Sequence, residues 1–173
     1  MSRRTCSPDS AASGRAGDGR QSLGIVFSSS VEQTRVLGRG LGKLLQPGDF
    51  IGLKGDLGAG KTELVRGIAE GAGVPPAEVT SPTFALVNVY GGRLKIIHAD
   101  LFRLKTTEEL YSIGWEDFLQ QDAACVVEWL TQVAGAAPAE LLQITMEDLG
   151  QTERRLTVVA HGARANFLLR ACF

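Results

Sequence analysis

The chain has 173 residues, in which 18 lysines and arginines face 19 aspartates and glutamates, so its formal net charge is −1. That balance excludes a protein that binds nucleic acid or an anionic membrane chiefly through its own charge, because such proteins carry a strongly basic domain or stripe. The length fits one domain, 44% of the residues are hydrophobic, and three cysteines without C-x-x-C spacing favour a reducing, cytoplasmic setting.

The chain begins with a polar segment. Residues 1–21 are mostly Ser, Gly, Ala, Arg and Asp, with hardly an apolar side chain after Met1. Because such a segment cannot bury a face, we expect a disordered tail over residues 1–21 and one folded domain over residues 22–173. The tail lacks the apolar run of a signal peptide, and no stretch of about 18 apolar residues predicts a membrane span. Four arginines and two aspartates give residues 1–20 a charge of +2, which leaves −3 for the remainder.

Apolar periodicity and turn residues predict the elements of the folded part. In chain order these are a strand at Leu23–Phe27, a helix from a capping box at Ser30–Gln33 to about Leu45, a strand at Phe50–Leu53, a helix from Lys61 to about Gly71, strands at Ala85–Tyr90 and Arg93–Ala99 joined by a two-residue turn at Gly91-Gly92, two short helices within Thr106–Gln121 broken near Gly114, strands at Ala124–Glu128, Leu141–Glu147 and Arg155–Ala160, and a helix at Ala163–Leu169. The pattern predicts an α/β fold with a mixed, mostly parallel central sheet flanked by helices and antiparallel strand pairs.

A phosphate-binding loop is the strongest motif. The run Gly55-Asp56-Leu57-Gly58-Ala59-Gly60-Lys61-Thr62 matches G-x-x-x-x-G-K-[ST] at every fixed position, between a predicted strand and a predicted helix. Glycines let successive backbone N–H groups point inward at an anion, and the helix N-terminus adds partial positive charge. In a P-loop NTPase, Lys61 reaches the β- and γ-phosphates and the Thr62 hydroxyl ligates Mg²⁺.

Two acids end apolar strands and are candidates to hold magnesium or to orient water. Asp100 follows one predicted strand and Glu128 ends another, although an acid at a strand end is often only a solvated loop residue. The hydroxyl-rich run at residues 80–84, Thr80-Ser81-Pro82-Thr83-Phe84, is either a switch that senses the γ-phosphate or an ordinary turn. His98 alternates with an apolar residue, which favours a packed histidine over a metal ligand.

A second glycine pattern has a different meaning. Gly38, Gly40 and Gly42 follow no strand closely, and the third glycine of a dinucleotide-binding fingerprint would fall on Lys43. We therefore expect these glycines to serve close helix packing. Together with the phosphate loop they begin to explain why the chain holds 21 glycines.

These motifs together resemble the bacterial TsaE (YjeE) family. The resemblance rests on the phosphate loop at Gly55–Thr62, on Thr80–Phe84, on His98-Ala99-Asp100-Leu101-Phe102-Arg103-Leu104, on Glu108-Glu109-Leu110 and on Val127-Glu128-Trp129, in that order, and it covers about residues 23–165. It implies an ATP-binding and hydrolysing subunit required for threonylcarbamoyladenosine (t6A) modification of tRNA. Such a subunit acts on the TsaD–TsaB transferase complex, uses ATP and Mg²⁺, and hydrolyses ATP slowly without its partner.

The resemblance also assigns roles to residues. It implies that Lys61, Asp100 and Glu128 are catalytic and that Thr62 and Glu128 ligate the metal. It further implies a nucleotide-binding set made up of Gly55, Gly58, Ala59, Gly60, Lys61, Thr62, Glu63, Thr83 and Trp129. The start of the first helix, around Val31–Thr34, is expected to flank the adenine.

Departures from the family pattern raise questions of charge and loop shape. Glu63 stands where the family usually has a second Thr, so its carboxylate repels phosphate unless it points outward. Leu130 replaces the Pro usual after Glu-Trp, and Ala99 and Phe102 replace a Phe and a Tyr.

Two other functions remain open from the sequence. A small P-loop kinase for a metabolite or nucleoside would need an arginine-rich lid, but the middle third of the chain supplies only Arg93 and Arg103 besides Arg66. A nucleotide-dependent binding module of the GTPase type would need a guanine-reading N-K-x-D, which the sequence lacks.

Overall fold

A mixed sheet forms the centre of the protein in a computed structural model that describes residues 21–173. Across these residues the seven strands lie in the order β1-β7-β6-β2-β5-β4-β3. Their bounds are β1 Ser22–Ser28, β2 Phe50–Lys54, β3 Val87–Tyr90, β4 Lys95–Asp100, β5 Ala123–Glu128, β6 Leu141–Asp148 and β7 Arg154–His161. The tail expected over residues 1–21 lies, apart from Gln21, outside the described residues.

The four central strands, β6-β2-β5-β4, pair in parallel, and antiparallel pairs flank them on both sides. The helices are α1 Val31–Leu44, α2 Lys61–Gly71, α3 Thr107–Ser112, α4 Trp115–Leu119 and α5 Ala163–Cys172. Side chains of α1, α2 and α5 bury one face of the sheet, whereas α3 and α4 contribute to the core on the other. The predicted α/β class with a mixed sheet is confirmed.

Helices α1 and α2 pack with their backbones almost in contact. A Cβ atom on Gly42 would lie 2.0 Å from the Ile68 carbonyl oxygen, and one on Gly67 would lie 2.3 Å from the Arg35 carbonyl oxygen. Gly38 faces α2 in the same way, while Gly40 has no atom within 4 Å. The expected helix packing is confirmed for Gly38 and Gly42 and is wrong for Gly40, which points to solvent.

The turn between β3 and β4 differs from the prediction. It spans Gly91–Leu94 rather than two residues. Leu94 is buried and its N–H donates to the Ala72 carbonyl oxygen at 3.2 Å, so the turn is fastened to the end of α2 instead of closing tightly on itself. A long-range contact therefore overrides the local Gly-Gly signal.

The start of α1 also differs in detail. The Ser30 hydroxyl accepts a hydrogen bond from the Gln33 N–H at 3.1 Å, as a cap requires. The Gln33 side chain reaches the Ser29 N–H at 2.7 Å, so the reciprocal half of the predicted capping box is displaced by one residue.

Candidate functional site

The glycine-rich loop connects β2 directly to α2. Gly60 caps α2 with φ +99°, a left-handed conformation that L side chains rarely adopt. A Cβ atom on Gly55 would lie 2.4 Å from the Met146 carbonyl oxygen, so this position also requires glycine. The N–H groups at the very start of a helix have no partners inside the helix, so the start of α2 offers donors for an anion.

Lys61 is buried at the bottom of this loop. Its ammonium donates to the Gly55 and Asp56 carbonyl oxygens at 2.8 and 3.0 Å and lies 4.5 Å from the centre of the Trp129 ring. Burial lowers the pKa of the Lys61 ammonium, and the charges of Glu128, Asp100 and Asp56 oppose that shift. The lysine is therefore held inside the loop that a phosphate group would enter.

The two predicted acids lie side by side. Asp100 and Glu128 are register partners at the carboxyl ends of β4 and β5, and each is 3% exposed. The Thr62 hydroxyl lies 3.5 Å from Glu128 Oε1, so the first turn of α2 reaches the acid on β5. The fold thus brings the phosphate loop and both candidate acids to one end of the parallel strands.

Asp100 also anchors the segment at residues 80–84. Its Oδ2 accepts a hydrogen bond from the Thr83 hydroxyl at 2.7 Å, and its Oδ1 accepts one from the Phe102 N–H at 2.9 Å. The segment then turns sharply, because the Leu86 N–H donates to the Pro82 carbonyl oxygen and Leu86 has φ +64°. Both Asp100 oxygens consequently face loop donors.

Trp129 follows Glu128 in a left-handed conformation, with φ +59°, and begins a short 3-10 turn at Leu130–Gln132. Its ring lies 4.9 Å from that of Phe102. Leu130, which stands where the family usually has Pro, is buried and packs on Gly52 of β2. This leucine therefore makes a core contact that helps to fasten the turn beside the site.

The Glu63 carboxylate is paired with two arginines. It accepts a hydrogen bond from Arg35 on α1 at 2.7 Å and pairs with Arg66 on α2. The side chains of all three residues are between 24% and 36% exposed. The carboxylate that replaces the usual Thr is thus held by two positive charges from the helices.

Arg154 and His98 are site residues that the sequence analysis did not predict. Arg154 on β7 donates to the Ala59 carbonyl oxygen at 3.0 Å and so helps to hold the phosphate loop in place. His98 on β4 lies 2.9 Å from Glu128 through its Nε2. Neither contact follows from a short motif, because each joins residues that are distant along the chain: Arg154 on β7 binds the phosphate loop, and His98 on β4 binds the end of β5.

A pocket of about 160 Å³ opens beside the phosphate loop. Its lining combines the start of α1, the loop, and the turn before β7. The lining residues are Val31, Thr34, Gly58, Gly60, Glu63, Gln151, Thr152 and Arg154. The start of α1 therefore lies next to the phosphate loop. The family resemblance implied that this part of α1 flanks the adenine.

Comparison with known proteins agrees with this geometry. The sequence model of the family described as "Threonylcarbamoyl adenosine biosynthesis protein TsaE" matches residues 28–156. The chain belongs to the TsaE family. It is 39% identical over 131 residues to the tRNA threonylcarbamoyladenosine biosynthesis protein TsaE of Treponema pallidum, an alignment that covers 76% of this chain and 96% of that protein.

Two further matches, one by sequence and one by structure, come from Bacillus subtilis. Its protein of the same TsaE name is 36% identical over 138 residues, covering 79% of this chain and 85% of the relative. The crystal structure of YdiB superposes with a TM-score of 0.73 at 28% identity, covering 88% of this chain and 95% of that one. The family and the fold therefore agree along nearly the same stretch.

Two features are absent from residues 21–173. No cluster of three or more His, Cys, Asp or Glu side chains in this range has the arrangement of a metal site. Within the same range no helix has the length and apolarity needed to cross a bilayer.

Proposed function

We propose that this member of the TsaE family is a Mg²⁺-dependent ATPase required for t6A modification of tRNA. The observation that carries the proposal is the buried Lys61 ammonium inside a strand–loop–helix phosphate loop, with Thr62 and Glu128 beside it. Backbone N–H groups at the start of α2 bind the phosphates, and Lys61 exchanges its two carbonyl partners for phosphate oxygens.

The oxygen donors present suit magnesium. Mg²⁺ prefers hard oxygen ligands and is usually held by one or two carboxylates together with phosphate oxygens and water. Thr62 and Glu128 would hold it, and Asp100 would orient water or metal near the γ-phosphate. When bound, Mg²⁺ neutralises charge that develops on the phosphate oxygens.

We assign the nucleoside to the 160 Å³ pocket at the start of α1. Gly58 and Gly60 belong both to this pocket and to the phosphate loop, so a phosphate chain and a nucleoside can lie end to end. Glu63 borders the pocket, and its pairing with Arg35 and Arg66 reduces the repulsion that its charge exerts on phosphate.

The partner is a TsaD–TsaB type complex in the cytoplasm. The residues outside the tail carry a charge of −3, which does not favour strong direct binding of tRNA. Slow ATP hydrolysis by the isolated chain is expected, because the loop at residues 80–84 and Trp129 border the site and a partner can complete it.

The first test uses Lys61→Ala. Wild-type protein should gain thermal stability in Mg-ATP, and Lys61→Ala should lose that gain, because the loop loses its charge on the phosphates. Lys95→Ala, at an exposed lysine on β4, is the matched control and should keep the shift. A full Mg-ATP shift in Lys61→Ala would show that the nucleotide lies elsewhere.

The second test addresses the reaction and the partner. Co-purification with a TsaD–TsaB pair, with and without ATP, should capture the chain, and the assembly should release inorganic phosphate. Transfer of phosphate to a metabolite, detected by mass spectrometry, would instead establish the kinase alternative. Equal competition by GTP and ATP without phosphate release would establish a nucleotide-dependent binding module.

A further inference from the structure

His98 is a buried polar residue that the proposed reaction does not yet use. It has no exposed surface, and its Nε2 lies 2.9 Å from Glu128 Oε1. Its ring lies 6.2 Å from that of Tyr90 on β3, and its neighbours on β5 are core residues. The buried ring thus lies with its Nε2 toward Glu128, a proposed magnesium ligand.

The direction of this hydrogen bond follows from the partner. An ionised carboxylate is only an acceptor, so Nε2 carries the proton and donates to Glu128. Within the described residues, Nδ1 is buried without a hydrogen-bond partner. Because a buried polar atom without a partner destabilises the fold, the residue type at this position is better explained by its bond to Glu128 than by packing.

A hydrogen-bond partner for Glu128 matters because Lys61 lies close by and could form an ion pair with its carboxylate. Burial lowers the pKa of the Lys61 ammonium and the charge of Glu128 opposes that shift, so the two groups lie close enough to attract each other. An ion pair between Lys61 and Glu128 would draw both side chains away from the proposed phosphate and metal positions. Instead, Oε1 of Glu128 lies between His98 and the Thr62 hydroxyl, at 2.9 and 3.5 Å, while Lys61 donates to loop carbonyl groups.

We propose that His98 is a positioning residue that holds the Glu128 carboxylate beside Thr62, so that the two can share one magnesium ion. This inference rests on the proposed function, because it requires Glu128 to be a metal ligand. His98 does not touch the nucleotide or the metal; it acts through Glu128, as outer partners commonly do for ligating carboxylates.

Three variants separate the hydrogen bond from packing. His98→Met is close to histidine in volume and removes the donor. His98→Gln places an amide N–H near the position of Nε2 and restores the donor. His98→Asn is shorter, so its amide cannot reach Glu128, and it replaces His98→Met if that variant does not fold.

The measurement is binding of the metal rather than turnover. Each full-length variant is saturated with a non-hydrolysable ATP analogue and titrated with Mg²⁺ while the thermal midpoint is followed. Binding of Mn²⁺ in the same complex is measured by electron paramagnetic resonance. Binding of the analogue in EDTA reports the nucleotide site alone.

The expected result for His98→Met is a rise of roughly 10- to 100-fold in the Mg²⁺ and Mn²⁺ concentrations for half-saturation. Affinity for the analogue in EDTA should stay unchanged, and His98→Gln should recover most of the metal affinity. Unchanged metal affinity in His98→Met would overturn the proposal. So would equal losses in His98→Met and His98→Gln, because packing alone would then account for both.

Glu128→Gln distinguishes this inference from the proposed function. If Glu128→Gln weakens metal binding and His98→Met adds nothing in that background, the two residues act together as proposed. If Glu128→Gln weakens metal binding while His98→Met alone does not, only the role of His98 fails. If Glu128→Gln leaves metal binding intact, the ligand assignment itself is wrong.

Discussion

The two sides of the phosphate loop are built differently. On one side is the helix wall, formed by α1 and α2, where glycines bring the backbones into direct contact. On the other is the loop wall, formed by residues 80–84 with Asp100, Phe102 and Trp129, which is held by side-chain hydrogen bonds and ring contacts. Phe84 in the loop wall is 88% exposed, whereas Gly42 in the helix wall is buried.

Under the proposed function, this difference would separate holding a nucleotide from responding to it. Backbones in contact have no alternative arrangement at small cost, so the helix wall would fix the position of bound phosphates. A loop held by a few hydrogen bonds can exchange them for bonds to a γ-phosphate, as switch segments do. We therefore expect α1 and α2 to stay rigid, and we expect residues 80–84 to change if the protein binds ATP as proposed.

The largest effect should come from placing a methyl group in the helix wall. In Gly42→Ala the new Cβ would lie 2.0 Å from the Ile68 carbonyl oxygen, so the helices must separate. We expect a loss of about 3 kcal/mol in the free energy of unfolding, measured by urea denaturation.

Gly40→Ala is the matched control for that substitution. It lies on the same helix with nothing within 4 Å, so it should stabilise the protein by about 0.5–1 kcal/mol through helix propensity. Equal effects at the two positions would show that propensity, and not backbone contact, governs the helix wall.

A smaller effect is expected in the loop wall. Thr83→Val removes the 2.7 Å hydrogen bond to the buried Asp100 carboxylate and should lower the free energy of unfolding by about 1–2 kcal/mol. Thr157→Val, the same change on β7 outside the site, should stay within about 0.5 kcal/mol of wild type in the same urea experiment. A loss as large as that of Gly42→Ala would contradict the distinction between the two walls.

The smallest effect is expected at Glu63. Its ion pairs are partly exposed, so Glu63→Thr should cost less than about 1 kcal/mol, and high salt should reduce the difference. Because the arginines already offset its charge, ATP affinity should change by no more than about threefold in calorimetric titration. The control is Glu70→Thr. Glu70 lies on α2, like Glu63, and the substitution removes its ion pair with Arg39 of α1.

The sequence predicted the parts of the site that depend on local spacing. Gly55–Thr62 forms the loop, and the acids at 100 and 128 end strands whose carboxyl ends meet because the strands are parallel. The two short helices broken near Gly114 were predicted for the same reason, since a glycine with φ +71° interrupts one continuous pattern.

What the sequence did not predict are contacts between distant residues. The bond from Arg154 to Ala59 spans 95 positions, and the bond from His98 to Glu128 spans 30. The predicted two-residue turn between β3 and β4 was wrong for a related reason. The Leu94 N–H donates to the carbonyl oxygen of Ala72 at the end of α2, and the turn spans Gly91–Leu94. Such partners follow from the register and packing of the sheet, which no short motif contains.

The glycines between α1 and α2 have a consequence for cooperativity. Each glycine inside a helix disfavours it by about 1 kcal/mol relative to alanine, so two helices with several glycines are weak helices when apart. They become stable only when docked, and therefore they should open in hydrogen exchange as one unit. The N-terminus of α2, to which we assign phosphate binding, would then be formed only while α1 is docked against α2.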